Sequence, residues 1–318
     1  MKIVYFANSS EYLDKNDLDL FECVVGGSLL DLEKEIKNSS DNLINRIYSN
    51  EKFIYSERLN NMGLHIYRTL LSNKIYQKRK KVYNEAIECF DKEGYMLIEN
   101  FLPEKEFKIL KELFDVRIRP KYPNGIKKQV DATGFFNRNK DFYNLILQCG
   151  HVKSFSPDAP YGIPRTEFWN HFHEKGDSQY KLHSDTFQPT CKFWLYLEDI
   201  EMEQGPLTLV PGSHICDEKR LKWDFENSLL SKESDLWIRR IEEGGKPGSF
   251  RVFENSTVEE ETTEVLRLGY QKPVPMVGKK NTLLAANTFC FHKRGMGVEG
   301  SYRRTLTSQY RPVAFGVY

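Results

Sequence analysis

The chain has 318 residues with 46 basic and 45 acidic side chains, and hydrophobic residues make up 40% of it. This composition is typical of a soluble globular protein and excludes the clustered basic excess of a nucleic-acid-binding domain. The length accommodates one large domain or two small ones.

The N-terminal stretch MKIVYFANSS lacks the long apolar segment and the small-residue cleavage site of a signal peptide. No window approaches the roughly eighteen apolar residues that span a membrane. The six cysteines are far apart and form no C-x-x-C pair, which indicates reduced thiols. We therefore expect a cytoplasmic protein with no membrane or nucleic-acid partner, while its oligomeric state is left open.

Helical periodicity dominates residues 1–85, and we predict a helical N-terminal extension there. In LHIYRTLLSNKIYQKRKKVYNEAIECFDKEG, apolar residues recur three and four positions apart, as on an amphipathic helix. The basic run QKRKKVY is followed closely by acidic residues, which favours a solvated helix face over a binding patch. Next, YMLIENFL predicts a short strand, and Pro103 precedes a helical pattern in EKEFKILKELF.

From about residue 160 onward the chain consists of short aromatic and β-branched runs bounded by turn residues. TEFWNHFH, CKFWLYLEDI, GPLTLVPGSH and NTLLAANTFCFH are examples, and such runs indicate a β-sandwich or barrel. The polar stretch at 215–279 interrupts this pattern, so we predict an insertion with one or two helices that serves as a lid. Residues 86–318 would form one domain that contains this insertion.

The stretch KLHSDTFQPT places His183 and Asp185 two positions apart, so that on a strand both side chains point to the same side. FCFHKRG offers His292 as a third ligand at the end of another apolar run. Two imidazoles and one carboxylate on one face of a metal leave positions open, which suits non-haem Fe(II) with a co-substrate and dioxygen. An H-x-D pair alone is common at surfaces and in turns, so further signals are needed.

Arg303 supplies one such signal, because it heads a strand-like run eleven residues after His292 and could hold a dicarboxylate. The phrase LHSDTFQPTCKFWLYLEDIEMEQGPLTLVPGSH supplies another, together with the upstream DKEGYMLIENFLPEKEFKIL. With this combination, residues 88–312 resemble the phytanoyl-CoA dioxygenase family of Fe(II)- and 2-oxoglutarate-dependent oxygenases.

The resemblance implies a mainly β fold with helices: a double-stranded β-helix, or jelly-roll barrel, with helices packed on one sheet. It implies that His183, Asp185 and His292 are the catalytic iron ligands and that Arg303 pairs with the distal carboxylate of 2-oxoglutarate. Trp194 falls where relatives place a Trp beside the co-substrate, although core packing explains it equally well.

Arg294 departs from the family pattern, because relatives often carry a small hydroxyl residue two positions after the distal His. Three roles are open for it: sharing the co-substrate carboxylate, binding an anionic group of the prime substrate, or joining a structural ion pair. With Lys192 and Lys293, Arg294 hints at an anionic small molecule as substrate, although strand alternation would send some of these side chains outward.

The remaining histidines have structural explanations. In VPGSH, a turn explains His214 better than ligand status does. His171 and His173 share a strand face and could contact substrate, but a hydrogen-bonded core or rim position is favoured. His65 and His151 lie outside the β-rich region and receive no role.

The expected reaction is hydroxylation of an unactivated C–H bond of a small molecule, with release of succinate and CO2. Halogenating relatives replace the iron-binding carboxylate by a small residue, so the presence of Asp185 favours hydroxylation. Desaturation, epoxidation and ring closure share the same oxidant and stay open. The alternatives are a cupin-like lyase or isomerase that does not use 2-oxoglutarate, and a non-catalytic binding domain on the same scaffold.

Overall fold

The computed structural model describes residues 12–38, 57–83, 88–117, 128–131, 166–173, 178–185, 189–230 and 257–310. The helices are α1 (Lys15–Val25), α2 (Leu29–Asn38), α3 (Glu57–Asn61), α4 (Leu64–Tyr83), α5 (Glu88–Glu93), α6 (Glu104–Arg117), α7 (Glu218–Leu230) and α8 (Val258–Arg267). The strands are β1 (Tyr95–Ile98), β2 (Lys128–Asp131), β3 (Thr166–Phe172), β4 (Cys191–Tyr196), β5 (Leu207–Leu209), β6 (Val274–Pro275), β7 (Leu283–Asn287), β8 (His292–Arg294) and β9 (Tyr302–Tyr310). Among the described helices, none is both long and apolar enough to cross a membrane.

Two antiparallel sheets form the barrel. The large sheet has the order β1-β7-β4-β9-β3-β2, and the small sheet has the order β6-β5-β8, with His183 bridged to His292 beside β8. Along the chain from β3 to β9, the strands alternate between the large sheet and the small sheet, singly or in pairs. This alternation is that of a double-stranded β-helix, so the predicted fold class is confirmed.

The two faces of the large sheet differ in chemistry because successive side chains on a strand point to opposite sides. Phe193 and Leu195 of β4 join a core that includes Phe114 of α6, so helices cover this face. The alternate residues of β4, Lys192 and Trp194, point into the barrel. The helix-covered sheet of the prediction is therefore present, and the opposite face is available for a site.

The N-terminal helices α1–α4 surround a separate apolar core that contains Phe21, Leu32 and Tyr67. Leu221 of α7 belongs to the same core, although α7 follows β5 and lies within the predicted insertion. The division at residue 85 stays a prediction, and this shared core shows that the extension and the insertion pack together.

The outer side of the small sheet is covered by α8. Val265 and Leu268 pack with Leu182, Val210 and Phe291, all of which are buried. The apolar faces of α7 and α8 are buried against the N-terminal helices and against the outer side of this sheet. The lid role of the insertion stays a prediction. Residues 231–256 of the predicted lid lie outside the described residues.

Candidate active site

Two neighbouring strands place His183 and His292 side by side. The amide of His183 donates to the carbonyl of His292 at 2.9 Å, the reverse bond measures 2.8 Å, and the ring centroids lie 4.5 Å apart. The backbone amide of Asp185 donates to the carbonyl of Thr288 at 3.1 Å, which anchors the turn after the strand. The three predicted ligands therefore converge, with one ligand atom from each lying within 4.8 Å of the others.

Both imidazoles are oriented by the carbonyl two residues earlier in the chain. Nδ1 of His183 lies 2.7 Å from the carbonyl oxygen of Lys181, and Nδ1 of His292 lies 2.9 Å from that of Cys290. Because a carbonyl only accepts hydrogen bonds, each Nδ1 carries the proton. The Nε2 atoms lie 3.7 and 3.6 Å from the two oxygens of Asp185, so their lone pairs are available to a metal.

Asp185 is an ionised carboxylate in a largely buried position. Burial alone would raise its pKa, but the positive charge of Lys192 holds the pKa well below its usual range. The ammonium of Lys192 forms an ion pair with Oδ2 of Asp185, and their side chains are 22% and 17% exposed. Strand alternation places Lys192 inside the barrel, but its partner could not be predicted from the sequence.

Arg303 lies inside the barrel on β9, 8% exposed, and faces His171 on the neighbouring β3. Its Nη1 donates to the carbonyl of Gly205. Gly205 has φ +57°, and a Cβ there would lie 2.3 Å from Cε1 of His173, so only glycine brings this carbonyl to the guanidinium. The same positive charge opposes the rise in the pKa of Tyr196 that burial causes.

The other predicted site residues divide between the barrel interior and the outer side of the small sheet. Trp194 is half-buried and packs against the apolar cluster inside the barrel. By strand alternation, Arg294 points to the same side as His292 and is 8% exposed. Lys293 points to the opposite side, where it pairs with Glu261 of α8 at 2.5 Å. Lys293 is thereby excluded from the interior.

His214 has the structural position that its turn predicted. Its Nε2 lies 3.1 Å from the carbonyl of Asp91, and the amide of Gly212 donates to the carbonyl of Glu93 at 3.0 Å. The VPGSH turn therefore packs on α5, and His214 is not one of the converging ligands.

His173 is tied into the barrel wall, with Nε2 2.6 Å from the carbonyl of Gln204, and His171 meets its ring edge-on at 5.0 Å. His173 is therefore hydrogen-bonded in the wall, and His171 is buried beside it. His65 is buried among the N-terminal helices, where burial lowers its pKa to about 3. His151 lies outside the described residues.

Arg220 of α7 is a structural cation that the sequence did not single out. It is fully buried, its Nε donates to Asp224 at 3.0 Å, and its Nη2 donates to the carbonyl of Phe289 at 3.1 Å. The guanidinium lies 4.0 Å from the ring centroid of Phe291. Arg220 thus holds the segment that leads into His292.

Comparison with known proteins identifies the family. A family model described as phytanoyl-CoA dioxygenase (PhyH) matches residues 90–258, more than half of the chain. The chain belongs to this family. The match to the phytanoyl-CoA dioxygenase family includes His183 and Asp185 but ends before His292 and Arg303, which the fold brings to the same interior. No curated protein matches the chain.

Several solved structures resemble the chain at low identity. HygX from Streptomyces hygroscopicus, with nickel and 2-oxoglutarate bound, is 12% identical over 72% of this chain and 88% of its own, with a TM-score of 0.45. EctD from S. alaskensis with bound Fe is 12% identical over 74% and 79%, with a TM-score of 0.44. AviO1 from Streptomyces viridochromogenes Tue57 is 15% identical over 73% and 96%, with a TM-score of 0.41.

The residues present fit the cofactors of the phytanoyl-CoA dioxygenase family, which are Fe(II) and 2-oxoglutarate. Two neutral imidazoles and one ionised carboxylate are the donor set that non-haem Fe(II) takes. The buried guanidinium of Arg303 suits one end of a dicarboxylate. The protein is therefore an enzyme of the Fe(II)- and 2-oxoglutarate-dependent type.

Proposed function

We propose that this enzyme hydroxylates an unactivated C–H bond of a small-molecule substrate and releases succinate and CO2. The observation that carries the proposal is the convergence of His183, Asp185 and His292 in a barrel whose interior also contains Arg303. Fe(II) and 2-oxoglutarate, when bound, supply the oxidising power for dioxygen chemistry.

The three converging side chains would hold the metal, and the rest of the interior would position the reactants. The Nδ1–H bonds to Lys181 and Cys290 fix each imidazole as a neutral Nε2 donor. Arg303 would anchor the distal carboxylate of 2-oxoglutarate, which its planar guanidinium matches in a bidentate pair. These roles leave the choice of C–H bond to substrate positioning.

Trp194 and Arg294 would act as neighbours of the bound co-substrate. Trp194 projects from β4 on the same side as Lys192, which touches Asp185, so its ring would border the space beside the metal. Arg294 would hold an anionic group, from either the co-substrate or the prime substrate. Asp185 supports hydroxylation over halogenation, because its carboxylate fills the position that a halide would need.

The proposal is tested by anaerobic titration of metal-free protein with Fe(II) and then 2-oxoglutarate, with the visible charge-transfer band of the chelate as readout. We expect the band in the wild type, no iron binding in His183→Ala, and a weaker band in Arg303→Ala at limiting 2-oxoglutarate. Arg304→Ala is the matched control, because Arg304 is the next residue of β9 and pairs with Glu198 at 2.6 Å.

The titration also separates the competing functions. Iron binding without a band in the wild type would contradict 2-oxoglutarate dependence and favour the cupin-like lyase or isomerase. If the band forms, succinate release in the presence of candidate anionic small molecules, followed by mass analysis for one added oxygen atom, tests hydroxylation. Succinate released in equal amount with a product that carries no added oxygen would contradict hydroxylation.

A further inference from the structure

A carboxylate outside the barrel bonds to both strands that carry the histidines. Oε1 of Glu261 accepts the backbone amide of Leu182 at 3.1 Å, and Oε2 accepts the ammonium of Lys293 at 2.5 Å. Leu182 precedes His183, and Lys293 follows His292. Since the two strands pair antiparallel at the histidines, Leu182 and Lys293 form the next cross-strand pair.

The geometry explains why a side chain is needed here. His183 and His292 exchange both backbone hydrogen bonds, so the neighbouring amide of Leu182 points away from β8. Leu182 is fully buried, and a buried amide without an acceptor is costly. Oε1 of Glu261 supplies the acceptor. Its Oε2 pairs with the ammonium of Lys293, a side chain that strand alternation turns away from the metal side.

Glu261 is itself fixed in place. It is fully buried in the first turn of α8, a helix that begins with a capping box between Thr257 and Glu260. Val265, one turn later, packs against the core on the outer side of the small sheet. The position of α8 therefore determines where this carboxylate holds the two strands.

We propose that Glu261 is a positioning residue that sets the spacing of His183 and His292 from the opposite side of the sheet. This inference rests on the proposed metal site. It assigns α8 a supporting role behind the two strands that carry the metal ligands. Supporting groups of this kind typically contribute about 10- to 100-fold to metal affinity.

The test uses the full chain and Co(II) in place of Fe(II), with the dissociation constant and the visible ligand-field spectrum as readouts beside urea unfolding. The variants are Glu261→Met, Lys293→Met and the double variant. Either single change leaves a buried charge without its partner and lowers stability. The double change removes both charges and recovers that part of the stability, while the amide of Leu182 stays without its acceptor. Glu259→Gln, an exposed residue of the same turn, is the control.

We expect stability and metal affinity to respond differently across the three variants. Co(II) should bind about 10- to 100-fold more weakly to all three variants, including the more stable double variant. The reason is that each variant loses at least one of the two contacts by which Glu261 holds the strands. Affinity that recovers together with stability, or an unchanged affinity and spectrum in every variant, would overturn the proposal. A wild type that binds Co(II) but shows no 2-oxoglutarate band with Fe(II) would contradict the proposed function and leave this result interpretable.

Discussion

Replacing Lys192 by Met is expected to tighten metal binding while it destabilises the metal-free protein. In the metal-free protein, Lys192 forms the ion pair with Asp185, and both side chains are largely buried. Removing one partner of a buried pair costs about 3 kcal/mol, at the low end of the usual range because both groups retain some exposure. The metal-free variant is left with an uncompensated buried carboxylate.

The metal-bound protein should lose less stability on this substitution, because a divalent cation then compensates the charge of Asp185. Its loss is one hydrogen bond to a charged group, about 1.5 kcal/mol. The difference of about 1.5 kcal/mol corresponds to roughly tenfold tighter metal binding in the variant.

Urea unfolding in chelator and in saturating Co(II) measures both stabilities, and direct Co(II) titration measures affinity. Lys279→Met is the control, because Lys279 is 68% exposed and its pairs with Asp199 and Glu201 are at the surface. Such pairs contribute about 0–1 kcal/mol. Weaker Co(II) binding in Lys192→Met, with unchanged metal-free stability, would refute the reasoning.

Three further predictions follow from the same contacts. The pKa of Asp185 lies below its unfolded value, so the stability that its charge contributes is present above about pH 4 and is lost as the pH falls through the folded pKa. Urea unfolding of the metal-free protein should show this loss in the wild type and a smaller loss in Lys192→Met, which lacks the ion pair. Arg220→Met should lower the free energy of unfolding by about 3–5 kcal/mol, and the double variant with Asp224→Leu should recover most of this loss in urea unfolding. Equal losses in the single and the double variant would contradict the pairing. Trp194→Phe should raise the KM for 2-oxoglutarate several-fold without changing Co(II) affinity, whereas a core role alone would change only the melting temperature.

The converging ligands were predictable because their signals are local or periodic. His183 and Asp185 are two apart, and the strand alternation of FCFH marks His292 as the end of a buried run. The β-rich region was predictable for the same reason, since short runs between turn residues leave few architectures. Arg303 could be placed by its distance along the chain from His292.

The supporting contacts could not be predicted because they depend on where helices pack. Glu261 is one of three consecutive glutamates, and nothing local distinguishes it from its exposed neighbours. Arg220 occurs in a charged helix and becomes fully buried only when α7 meets the turn before His292. The packing of α7 and α8 could not be predicted either, because composition shows that a segment is inserted but not which side of a sheet it covers.

The orientation of both imidazoles by main-chain carbonyls has a consequence for how this site can vary. The acceptors at Lys181 and Cys290 are backbone oxygens, which every amino acid carries. Side chains at these two positions can therefore change, by drift or by design, without altering the tautomer of either histidine. A sequence search that required a fixed residue beside each histidine would thus miss working members, whereas a search for the strand geometry would retain them.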